Sequence, residues 1–62
     1  MSLAIRVSDL IDKLSKSLSD LEKFESGNDA AGKRARKVCA DVAKECKELR
    51  ADIQQIRNHR KS

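Results

Sequence analysis

This chain of 62 residues has no proline, and its only glycines are Gly27 and Gly32. That leaves it little to fold into except helix. Proline and glycine are the strongest local interruptions of a helix, and Ala, Leu, Lys, Glu and Arg, which abound here, are its best formers. One cluster, Ser26-Gly27-Asn28-Asp29, carries a turn signal. The expected fold is all-α, a single helical hairpin over residues 1–62. Its first helix spans about 3–25, the turn 26–28, the second helix about 29–58, and a basic tail 59–62.

Ser2 is placed to cap the first helix. Leu3, Val7, Leu10, Leu14, Leu21 and Phe24 follow at alternating steps of four and three, with Ser17 at the one interrupted position. Ile11 and Leu18 widen this into a broad apolar face, and Ser8, Asp12, Ser15, Ser19, Glu22 and Ser26 form the solvated side. Phe24 reads as a core plug beside the turn. Gly27 suits the left-handed residue that ends a helix, and Asn28 or Asp29 can cap the next. So short a connection makes the two helices antiparallel neighbours.

The second helix carries its apolar positions at Ala31, Ala35, Val38, Val42, Cys46, Leu49, Ile53 and Ile56. Folded back from Gly27, Leu3 reaches about the level of Asp52, so Ile53 and Ile56 project beyond the first helix. A lone hairpin cannot bury two such stripes, and chains this short need a staple or a partner. The expectation is a homodimer, two hairpins forming a four-helix bundle; a monomer with frayed ends is the competing form.

The formal net charge is +4 and it is unevenly spread. Residues 1–26 hold four basic and five acidic groups, and residues 27–62 hold ten and five. On a wheel of about 100° per residue with Val38 at zero, Arg57, Arg50, Arg36, Lys47, Lys33, Lys44 and Lys37 spread from about 100° to 260°. Asp41, Glu45, Glu48 and Asp52 gather between about 280° and 340°, with Arg34 among them and able to pair with Asp41 or another neighbour. Charge runs are usually solvated faces laced with pairs four apart, such as Lys37 with Asp41. Here the two signs are sorted, which favours a polyanion. Lys33, Arg36, Lys37, Lys44 and Lys47 would offer phosphate contacts along about 20 Å of rigid helix. No Asn or Gln stands within the cluster to read adenine, and there is no aromatic platform for single-stranded bases. Double-stranded DNA recognised by shape and charge is the expected partner.

Other functions have less behind them. There is no phosphate loop, no nucleophile–base spacing and no cleft-building size, so neither an enzyme nor a small-molecule substrate is expected, and no cofactor. Cys39 and Cys46 lie about 10 Å apart along one helix and cannot bond to each other. They read as interface filler or, more sharply, as an intermolecular disulfide or metal site; only His59 could add a nitrogen, so no metal is expected. No apolar run is long enough for a bilayer and no signal-peptide pattern begins the chain, so no membrane partner is expected and cytoplasmic residence follows.

The segment GNDAAGKRARKVCADVAKECKELR, within Glu25–Arg50, resembles the histone H1-like Hc1 proteins of bacteria. In that family a Gly-Asn turn precedes Ala-Ala, then Arg-x-Arg, then an amphipathic Lys/Glu-rich helix. The resemblance implies a nucleoid-associated DNA-binding protein linked to chromosome condensation, with Lys33, Arg34, Arg36 and Lys37 as DNA contacts. Lys44, Lys47, Arg50, Arg57, Arg60 and Lys61 complete the candidate set. Some members carry a long Lys/Ala-rich tail expected to do much of the DNA binding; this chain, ending in Arg57, His59, Arg60 and Lys61, resembles a short, tail-less form. Two alternatives remain: a Rop-like dimeric hairpin binding structured RNA, and a protein-interaction adaptor that presents the acidic stripe and cysteines.

Overall fold

The computed structural model describes residues 2–61. Two helices, α1 (Leu3–Glu25) and α2 (Asp29–Lys61), pack side by side in opposite directions. Among the described residues there is no strand. The hairpin is a thin rod of 54 × 16 × 13 Å.

Local rules set the ends. The Ser2 hydroxyl accepts a hydrogen bond from the Ile5 amide at 3.2 Å, satisfying one of the orphan donors of the first turn. At the other end of α1, Gly27 donates to the Phe24 carbonyl at 2.9 Å and Asn28 to that of Lys23 at 3.0 Å. These two bonds make a Schellman motif, which needs a residue at positive φ. Gly27 supplies it, at φ 110°. Asn28 then caps α2, its side-chain oxygen accepting from the Ala31 amide at 3.1 Å. Gly27→Ala is expected to destabilise the hairpin by about 1–2 kcal/mol, since a Cβ disfavours the left-handed region. Urea melts followed by circular dichroism would measure this, and an unchanged midpoint would show the turn to be dispensable. Helix α2 continues past residue 58, where the sequence suggested it would end, to Lys61. His59, Arg60 and Lys61 occupy its last turn, where positive charge opposes the negative end of the helix dipole.

The seam between the helices is narrower than the apolar stripes. Its buried apolar residues are Leu10, Ala31, Ala35, Val42 and Leu49. Leu3 and Val38 are half-buried beside them. Ser17, which breaks the apolar pattern of α1, is one of the most enclosed residues, 4% exposed. Its hydroxyl donates to the Leu14 carbonyl at 2.6 Å, so no polar atom is stranded. Ser17, Ala31 and Ala35 are small, and that lets the backbones approach closely toward the turn.

Much of what the periodicity assigned to the core is at the surface. Val7, Leu14, Leu21 and Phe24 on α1 are exposed, with Ile11 and Leu18; so are Cys46, Ile53 and Ile56 on α2. The reason is geometric. One neighbouring helix covers only the row Leu3, Leu10, Ser17, and the next row of α1 turns away from it. Phe24 is not a plug but a lid, 48% exposed, lying over Gly32. A Cβ at Gly32 would run into the Phe24 ring, which accounts for a glycine inside a helix.

The other edge of the seam is ionic. Arg6 Nη1 meets Asp52 Oδ2 at 2.6 Å, and Lys13 Nζ meets Glu45 Oε1 at 3.1 Å. Arg34 donates twice to Asp20 Oδ1, at 3.0 and 3.3 Å. It is thus Arg6, not Leu3, that reaches Asp52. Each pair is partly exposed and contributes at most about 1 kcal/mol. Their joint effect is to set register, because a slip along the rod parts all three.

Candidate nucleic-acid interface

Ala35, Val42 and Leu49 mark the side of α2 that faces α1. Lys33, Arg36, Lys37, Lys44 and Lys47 fall on the opposite side, about half a turn round. All five are exposed. Over this outer face, from Lys33 to Gln54, no carboxylate intervenes; Ala40, Ala43 and Ala51, also exposed, fill the gaps. Asp41 and Glu48 lie at its border, on the ionic side.

Four ion pairs occur among the described residues, and none involves these five cations. The pair Lys37–Asp41 is not formed; the intrahelical pair is Lys16 with Asp12, at 3.3 Å. Long side chains without a carboxylate partner keep their charge and freedom for an external anion. The regular α-helix beneath them fixes their spacing, so the row would meet a polyphosphate with little rearrangement of backbone.

The remaining sequence-expected contacts are placed differently. Arg34 is exposed but engaged by Asp20 across the seam, not by Asp41, and acts as a clasp of the hairpin. Arg50 and Arg57 sit at the edge nearest the apolar flank, and Arg36 borders that flank beside Leu21, Phe24 and Cys39. Arg60 and Lys61 extend beyond the end of α1, on the overhanging turns of α2. The structure therefore groups five of the ten candidates on one face and distributes the others.

Sequence reasoning missed how Arg6, Lys13 and Asp20 are used. The signal was present: Arg6 and Lys13 are seven apart, Glu45 and Asp52 repeat at the same interval with opposite charge, and Asp20, seven further on, reverses the sign to meet Arg34. Cys39 and Cys46 are free and exposed. Among the described residues no group of His, Cys, Asp and Glu is placed to hold a metal ion, and no helix is long and apolar enough to cross a membrane.

Comparison with curated proteins gives no match, and none is found among solved structures. A family model does match, that of the histone H1-like protein Hc1, over residues 3–59. The match takes in α1 as well as the turn and most of α2, beyond the segment Glu25–Arg50 that carries the resemblance. The chain belongs to the histone H1-like Hc1 protein family.

Proposed function

We propose that this protein binds double-stranded DNA through phosphates, without reading base sequence, and thereby helps organise or compact the bacterial chromosome. The observation that carries this is the outer face of α2: five unpaired cations along about 20 Å, uninterrupted by acid. Membership of a histone H1-like family supplies the polyanion. The site residues are Lys33, Arg36, Lys37, Lys44 and Lys47, with Arg50, Arg57, Arg60 and Lys61 as outlying contacts. Each contact displaces condensed counterions, and that release drives sequence-independent affinity. Two hairpins paired through their apolar flanks into a four-helix bundle carry two such faces on one particle. A particle of that kind bridges two duplexes, or two stretches of one, in the nucleoid. Nothing in this scheme requires a reaction or a cofactor.

A titration of duplex DNA across salt tests it. Five contacts give a slope of about −4.5 in log affinity against log salt, the same for unrelated sequences. A flat salt dependence, or strong preference for one sequence, would overturn the phosphate-binding assignment. Tighter binding to structured RNA would move the assignment to that polymer.

A further inference from the structure

The exposed apolar residues are not scattered. Val7, Leu14 and Leu21 on α1 form one side of the hairpin with Cys39, Cys46 and Ile53 on α2. The ion pairs occupy the other side. One flank is therefore available for self-association and the other is not.

The exposed surface says how much must be covered. The hairpin exposes 5238 Å² at a mass of 6.9 kDa. A compact chain of that mass exposes about 4,000 Å², and one of twice that mass about 6,600 Å². Two free hairpins expose about 10,500 Å². Closing that gap buries about 3,900 Å² between them, within the range of obligate dimers.

The flank is also symmetric about its own middle. Val7 and Leu21 lie equally far from Leu14, and Cys39 and Cys46 equally far from a point between Val42 and Ala43. The pairs Arg6–Asp52 and Lys13–Glu45 place Leu14 level with about Lys44, so the two midpoints nearly coincide. A two-fold axis there matches the flank to itself when the partner runs in the opposite direction. Ile53 then comes level with the partner's Gly32 and meets the Phe24 ring that lies over it. Ile56 continues the seam row Ala35, Val42, Leu49 past the start of α1, and Arg57 comes level with the partner's Asn28.

Resting on the pairing proposed above, we infer that the second copy docks antiparallel, α1 on α1 and α2 on α2, with the turns at opposite ends. Cys39 of each protomer then faces the partner's Cys46. Like cysteines stand about 10 Å apart along the axis, too far for a bond.

Mild oxidation with diamide tests this. Two thiols become one disulfide, their two hydrogens passing to the diazene, which is reduced to the hydrazine. The wild-type protein is expected to give a covalent dimer on non-reducing gels. Cys39→Ala and Cys46→Ala, each alone, should give none, and an equilibrated mixture of the two should recover linkage in the mixed half of the dimers. Cross-linking of either variant alone, or none in the mixture while light scattering reports a dimer, overturns the antiparallel arrangement. A monomer mass overturns the pairing itself and leaves DNA binding to be judged by its salt slope.

Discussion

Reversing three charges at once, Lys33→Glu, Arg36→Glu and Lys37→Glu, is expected to weaken duplex binding about 10²–10³-fold at 0.1 M salt and to flatten the salt slope by about 2.7. Each lost phosphate contact removes close to one factor of ten at that ionic strength, and the new carboxylates add repulsion. The fold should survive, because none of the three is paired or buried. Glutamate is as good a helix former as lysine, and acid near the start of α2 suits its dipole. Arg34 is left out on purpose, since its removal would open the Asp20 clasp and confuse folding with binding. Gel shifts with helicity measured in parallel would check this. Unchanged affinity in a helical variant would clear these residues of any role.

Leu10→Ala and Ile11→Ala separate two adjacent residues that look alike in sequence. Leu10 is 7% exposed in the seam, and Ile11 is 62% exposed on the flank. Truncating Leu10 is expected to cost about 2–3 kcal/mol, a loss comparable with the total stability of so small a core. In a hairpin standing alone, Ile11→Ala would be neutral or slightly stabilising, because alanine is the better helix former. Between two paired hairpins it costs about 1–2 kcal/mol. We expect the second result, seen as a lower melting midpoint that depends on protein concentration. A tolerated Leu10→Ala would contradict the seam itself.

Both ends of α1 and the start of α2 were legible because their rules are local, while the end of α2, with no such signal, runs three residues past the expected 58. Ser2, Gly27 and Asn28 act on backbone groups within five residues, and no distant partner is needed to interpret them. The seam was not legible from periodicity alone. Leu10 and Leu14 are equally apolar and both belong to the stripe, yet only the first is buried in the seam. Which row faces the neighbour depends on the helix opposite, and here Ser17, not a leucine of the stripe, is buried toward α2. The acids of α2 were read as a solvated stripe, while Glu45 and Asp52 close the edge of the seam through Lys13 and Arg6. The outer basic face was recoverable because it needs no partner in the fold: exposed side chains follow the wheel. Arg34 was the exception, since its partner lies on the other helix.

The greasy flank and the cationic face lie on different sides of the rod, and they answer oppositely to ionic strength. An osmotic upshift that concentrates ions loosens every phosphate contact, while association of oily surfaces holds or tightens. If the face holds DNA and the flank a second copy, as proposed, the protein would then leave the chromosome as an assembled unit, ready to rebind when the ions are diluted, without refolding in between.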